Sequence, residues 1–248
     1  MTRLPRSCAF SLFVLCLWLC ICAGGLANAK TAFVGPRADP IAALPAAHGK
    51  RYVIGVMGGA GATVPAHINA ALAEMGGAIG KSGHVTLTGA CPGYPHVVLQ
   101  AAKAAGGLTV GISGHADKKS HVAHNAPTDS FDVVQFTSLP WSQRGQQRPN
   151  YMGREIDNIE RSNALVFVGG RSGTLGEFAI AYEEGRPIAV LKGSGGVSDE
   201  IAHLVKVMTK AGKPPRAPLV FDANPRRLVK RLLKAMETKQ ASTFQWEG

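Results

Sequence analysis

Ala164-Leu165-Val166-Phe167-Val168-Gly169-Gly170-Arg171-Ser172-Gly173-Thr174-Leu175-Gly176-Glu177 is the stretch that decides the fold. Its first five residues are all apolar and read as a strand buried on both faces, which calls for a parallel sheet covered by helices. Gly169 and Gly170 then turn the chain into a helix read over residues 174–184. A buried strand, a glycine turn and a helix in direct succession make one half of a βα repeat.

The same order recurs on either side. Residues 52–57 read as a strand and Gly58-Gly59-Ala60-Gly61 as a turn. Ile68, Ala71, Leu72, Met75 and Ile79 then return at steps of three and four, on one face of a helix. Pro65 suits the first turn of that helix, and Gly83 follows its end. Further strands are read at 84–88, 108–112, 131–136 and 188–191, and further helices at 95–105, 152–161, after Ser198 and at 225–237. Residues 113–130 are a polar stretch with no assigned element. The expected fold class is α/β: a Rossmann-like, doubly wound, mainly parallel sheet with helices on both faces.

Composition agrees. A chain of 248 residues with 46% hydrophobic and 17% charged residues is not disordered throughout and suffices for one sizeable domain. Thirty glycines against 6% aromatics favour glycine-bearing βα loops over an aromatic-rich β-sandwich. The domain is expected over residues 51–240, with a tail at 241–248.

Residues 1–29 read as a secretory signal peptide. Arg3 and Arg6 supply a positive start, residues 8–23 an apolar run broken only by Ser11, and Ala27-Asn28-Ala29 an A-x-A cleavage site. An uncleaved anchor is the competing reading; no later apolar run approaches the roughly 20 residues of a membrane span. Residues 30–50, with Pro36, Pro40 and Pro45, read as a linker. Ala32-Phe33-Val34-Gly35-Pro36 also resembles the junction of a signal-plus-transit presequence. Entry to the secretory pathway and export is the expected route, with plastid import as the alternative.

Four of the five cysteines lie in the leader, so Cys91 alone can form neither an internal disulfide nor a zinc site by itself. Loss of the leader lowers the net charge from +11 to +9, and the excess lies mostly in residues 206–239. There Leu228, Val229, Leu232, Leu233 and Met236 form an apolar face beside Arg226, Arg227, Lys230, Arg231 and Lys234. A terminal helix uses such a face to dock, so a solvated basic side is expected and no nucleic-acid partner.

Glycine turns follow several strands: Gly58 to Gly61, Gly89 to Gly93, Gly169 to Thr174 and Gly193 to Gly196. In an open parallel sheet these turns border the ligand crevice, and helix starts beside them favour an anion. Gly59-Ala60-Gly61 does not complete a dinucleotide fingerprint, because Val64 stands where the third glycine belongs.

Met152-Gly153-Arg154, the strand 164–168 and the turn 169–177 together resemble the LOG family, within the wider SLOG group of Rossmann-like nucleotide binders. That family places an Arg on a helix, then a buried strand, then PGGxGTxxE. The turn Gly89 to Gly93 resembles its first glycine-rich loop. The resemblance spans residues 52–204. Gly169, Arg171 and Gly176 depart from the second motif, and Ala90, Cys91, Tyr94 and Pro95 from the first. LOG enzymes hydrolyse cytokinin nucleoside 5′-monophosphates to base and ribose 5-phosphate.

The resemblance implies hydrolysis of the N-glycosidic bond of a nucleoside 5′-monophosphate, or a non-catalytic nucleotide-binding or sensor role on the same fold. It also implies a homodimer with the site near the subunit interface. Arg154 and Glu177 would be catalytic: a carboxylate stabilises the positive charge that builds on the sugar, and a guanidinium orients an anion. Gly58, Gly59, Gly89, Gly93, Gly170, Gly173 and Thr174 would cradle the phosphorylated ligand. Thr174 to Glu177 equally fits a capping box that does no chemistry. His115, His121 and His124 lack an accompanying set of acids and cysteines, so no metal is expected, and nothing points to a pyridoxal-phosphate lysine or another cofactor.

Overall fold

The computed structural model describes residues 30–46, 51–137 and 150–242. The signal peptide expected over residues 1–29 lies outside the described residues. From Thr31 onward the chain forms one unit.

Eight strands make one parallel sheet: β1 (Ala32–Val34), β2 (Val53–Gly58), β3 (Val85–Thr88), β4 (Leu108–Ser113), β5 (Val133–Phe136), β6 (Ala164–Val168), β7 (Ile188–Leu191) and β8 (Leu219–Asp222), in spatial order β1-β5-β4-β3-β2-β6-β7-β8. The helices are α1 (Ala66–Lys81), α2 (Tyr94–Ala104), α3 (Lys118–Ala123), α4 (Tyr151–Glu160), α5 (Ser172–Glu183), α6 (Gly196–Lys210) and α7 (Pro225–Ser242). The chain winds from β2 outward to β5, then returns to lay β6 against the other side of β2, with Ile54 opposite Ala164 and Gly58 opposite Val168. That reversal is the switch point of a doubly wound sheet.

Alternation along β2 and β6 divides the core in two. Val53, Met57, Leu165 and Phe167 face α4, α5 and α6 through Ile159, Phe178, Tyr182 and Ile201. Ile54, Val56, Val166 and Val168 face α1, α2 and α7 through Leu72, Met75, Val98, Leu228 and Leu232. The apolar face of α7 is thus buried, as its periodicity predicts. Two of its arginines, Arg227 and Arg231, bond Asp222, and Arg226 bonds Glu74. Among the described residues no helix is long and apolar enough to cross a membrane.

Several expectations are corrected. Residues 30–50 are not merely a linker, because β1 pairs with β5 as an edge strand, Ala32 opposite Val133. Gln135 Nε2 donates to the carbonyls of Pro36 and Ala38, and Phe33 stacks on Phe136. Three residues are too few to show alternation, and their partners are about a hundred positions away. β8 escaped notice because its four residues follow the proline-rich run at 214–218. The polar stretch holds α3, whose start is a capping box between Asp117 and Ser120. α7 runs to Ser242, past the expected domain end at 240.

Candidate functional site

Three glycine turns converge at the carboxyl ends of β2, β3 and β6. Gly58 closes β2, and a Cβ there would overlap the Val168 carbonyl of the neighbouring strand. Gly59 follows; its N–H donates to Val168 O (3.3 Å) and its carbonyl accepts from Tyr94 N (3.1 Å). Gly93, the residue before α2, has a left-handed backbone (φ 108°) and leaves no room for a Cβ against Gly59 O. These contacts fasten the first turn to the second.

Gly170 (φ 94°) sits against the Thr174 side chain, which a Cβ would overlap. Its carbonyl accepts from Val197 N (3.0 Å), and Gly169 O accepts from Ser198 Oγ (2.6 Å). Ser198 lies in the first turn of α6, which begins at Gly196 rather than after Ser198, and ties that helix to the turn after β6; the N-cap of α6 is Gly195. Glycine is required at 170 because the left-handed turn and the near side chain both exclude a Cβ.

The carboxylate and the guanidinium come from adjacent helices, Arg154 on α4 and Glu177 on α5. Arg154 is 8% exposed and Glu177 4%. The Arg154 guanidinium lies across Gly89, whose missing side chain makes the space: a Cβ would stand 3.0 Å from Nη1. Nη1 donates to Cys91 Sγ (3.2 Å), Nη2 faces Glu155 Oε1 (3.5 Å), and the group sits 5.5 Å over the Tyr151 ring. Nε is buried without a hydrogen-bond acceptor. Asn158 Nδ2 donates to Glu177 Oε1 (3.2 Å). Together these residues border a narrow cleft of about 20 Å³, lined by Gly58, Ala60, Gly89, Cys91, Arg154 and Glu177.

Burial pushes the Glu177 carboxyl up to about 7, against the opposing pull of Arg154 and the Asn158 hydrogen bond; the Glu155 charge adds to the rise. Glu155 is raised for the same first reason and lowered by Arg154. Burial also raises the Cys91 thiol, despite Arg154. A buried guanidinium beside two carboxyls that burial drives toward the neutral form can accept an anion, and Glu177 can exchange a proton near neutral pH.

The capping-box reading of Thr174 to Glu177 is overturned. α5 begins at Ser172 with Arg171 as its N-cap, so Thr174 already lies inside the first turn and Glu177 in the second. The Glu177 side chain bonds Asn158 and lines the cleft, with no bond back to the helix start. Gly173 lies in the first turn of α5, and together with Gly176 it makes space for the Glu155 carboxylate. Glu155, Asn158 and the contact of Cys91 with Arg154 were missed by the sequence reading. The only available signal was Glu155 and Asn158 lying one and four residues after Arg154.

The three histidines flank the site at the end of β4. His121 is fully buried, bridging Ser113 Oγ (2.9 Å) and Pro127 O (2.9 Å). His115 stacks near His124 at 4.7 Å, and burial first, then the neighbouring His124, His121 and Arg154 charges, lower it to about 4.

Residues 51–229 match the model of the SLOG cluster4 family. The chain belongs to that family. The match covers the sheet from β2 to β8 and both motifs. A protein of Archaeoglobus fulgidus is 30% identical over 119 residues, which are 48% of this chain and 67% of the relative. Among solved structures, TM1055 has a TM-score of 0.60 at 21% identity, over 74% of this chain and 98% of its own. The molybdenum cofactor carrier protein of Chlamydomonas reinhardtii has a TM-score of 0.54 at 25% identity, over 77% of this chain and 99% of its own. The molybdenum cofactor binding protein of Rippkaea orientalis has a TM-score of 0.56 at 22% identity, over 76% and 98%. The likenesses to TM1055 and to the Rippkaea protein speak for the fold.

Proposed function

We propose that this SLOG protein binds a phosphorylated nucleoside or related nucleotide derivative in the cleft at the β2–β6 switch point. The observation that carries the reading is Arg154: a guanidinium 8% exposed, with Nε lacking an acceptor, lining a cleft bordered by glycine turns. A buried guanidinium whose partners are a thiol and a carboxyl that burial drives toward its neutral form is costly unless an anion balances its charge. The first turn of α5, which follows the glycine turn after β6, adds amides without intrahelical acceptors beside the switch point.

With such a ligand bound, Glu177 is suited to hydrolysis of the N-glycosidic bond. The C1′–N bond breaks with its electron pair leaving on the base, and positive charge builds on the sugar. Ionised Glu177 stabilises that charge and accepts a proton from the attacking water, whose oxygen bonds to C1′. The departing base takes up one proton, balanced by the proton that Glu177 gives back through solvent, and is released together with ribose 5-phosphate. Asn158 holds the carboxylate in place through Oε1.

A second reading is a non-catalytic binder or sensor. It is supported by likeness to a molybdenum cofactor carrier protein over 99% of that protein's length. It is also supported by the burial that keeps Glu177 largely protonated below pH 7. Incubation with a panel of nucleoside 5′-monophosphates, read both by thermal shift and by release of free base, separates the two. Stabilisation with base release supports the hydrolase, and stabilisation alone the binder. Neither with any compound would end the phosphorylated-ligand reading.

A second copy of the chain is proposed to cover Tyr151, Met152, Ile156 and Leu175, exposed apolar side chains on the two helices that carry Arg154 and Glu177. Export through the leader, or plastid import, is proposed as the route to its compartment.

A further inference from the structure

We propose that Arg171 is the outer guanidinium of this site and selects a phosphomonoester over the matching uncharged ligand; the proposal rests on the phosphorylated-ligand reading above. Arg171 stands where the related motif has glycine, so its side chain is a feature of this chain. As the N-cap of α5 its backbone is fixed, with its carbonyl accepting from Leu175 N (3.0 Å). The exposed side chain reaches across to the turn after β2, where Nη2 donates to Ala60 O (3.3 Å). Ala60 itself lines the cleft. The guanidinium therefore bridges the turn after β2 and the turn after β6, the two sides of the switch point.

Charge balance argues that it does more than bridge. Inside the cleft Arg154 is accompanied by Glu155 at 3.5 Å and by Glu177. A phosphate dianion entering there meets one positive group, and each carboxyl opposes it to the extent that it is ionised, so further positive charge favours the dianion. Arg171 supplies it: among the described residues no carboxylate is paired with it in an ion pair. Its present acceptor is a neutral carbonyl at long range, and a phosphate oxygen is the stronger acceptor for a guanidinium, in bidentate geometry. Arg154, largely buried in the cleft wall, independently sets positive charge there. Arg154 then holds the ligand from within, and Arg171 holds the phosphate at the rim.

The test is calorimetric titration of the full-length protein and of Arg171→Ala, Arg171→Gln and Arg171→Lys. The probes are the four common nucleoside 5′-monophosphates, their nucleosides and inorganic phosphate. Removal of the guanidinium is expected to weaken the monophosphates and inorganic phosphate by about tenfold or more. Nucleoside binding should stay within about twofold, and lysine should restore part of the loss. An unchanged thermal midpoint in the variants separates this from misfolding. Wild-type affinity for monophosphates in Arg171→Ala would overturn the role of Arg171 and leave the ligand reading standing. Equal weakening of nucleoside and monophosphate would overturn it too, since Arg171 would then only shape the mouth. Failure of the wild type to bind any phosphorylated probe would sink both.

Discussion

Replacement of Glu177 by glutamine is expected to stabilise the protein at alkaline pH while abolishing any base release. Burial raises this carboxyl from 4.5 to about 7 in the folded state. At about 1.36 kcal/mol for each factor of ten in acidity, ionising it in the fold costs about 3 kcal/mol. Between pH 4.5 and 7 the folded state keeps a proton that the unfolded state has released, so stability falls as pH rises through that window. The contribution is fully present below 4.5 and gone above 7. A glutamine side chain would retain an oxygen to accept from Asn158 Nδ2 and could not ionise. The advantage of Glu177→Gln over the wild type should therefore grow by about 2–3 kcal/mol between pH 5 and pH 8, about 5–10 °C in Tm for a domain of this size. His115 works in the opposite sense, because its lowered value makes the fold gain stability as pH rises from about 4 to 6.5. The two oppose each other in the wild type, but His115 drops out of the difference between the two proteins. Urea unfolding of both at pH 5, 6, 7 and 8 measures that difference. A difference that stays constant over the range would refute the buried, proton-holding Glu177.

Other outcomes follow from the same geometry. Gly170→Ala places a side chain on a left-handed residue against Thr174, and should cost about 1–3 kcal/mol in chemical denaturation along with loss of ligand binding. Arg154→Ala should weaken a nucleoside monophosphate more than its nucleoside in calorimetry; equal loss would reduce Arg154 to shaping the pocket. Met152→Glu puts a charge on a side chain that is 75% exposed within the apolar strip, and should turn a dimer into a monomer in sedimentation velocity. A wild type that is monomeric at high concentration contradicts the covered face. Residues 1–50 fused to a fluorescent reporter should leave the cytosol, and a diffuse cytosolic signal would refute the address. Cleavage after Ala29 keeps β1 whole, whereas cleavage after Ala32 cuts into it.

Much of the site was readable from residues alone, but not the meaning of each. Arg154 and Glu177 stand out through their spacing around a buried strand, and both line the cleft. The four residues Thr174 to Glu177 fit a capping box and a catalytic acid equally well. Only the helix start at Ser172 separates them, and that start depends on Gly169 and Gly170 being tied to Val197 and Ser198, more than twenty residues away. Glu155 was unremarkable in the sequence because its significance lies in facing Gly173 and Gly176 on another helix.

The sequence by itself determined the alternation of strands and helices, since each long element records its own burial in a local period. It also determined that glycine turns follow the strands, because a left-handed turn excludes most other residues wherever it occurs. Tertiary structure alone decided that β1 and β8 complete the sheet, that Arg154 meets Cys91 and Glu155, and that Arg171 spans to Ala60. Those outcomes depend on contacts between elements that come together only in the fold, whose energies leave no periodic trace in short segments. The proton affinity of Glu177 is the clearest case. It is set by the water that α4, α5 and the sheet together exclude, which no residue in its own neighbourhood of the sequence can specify.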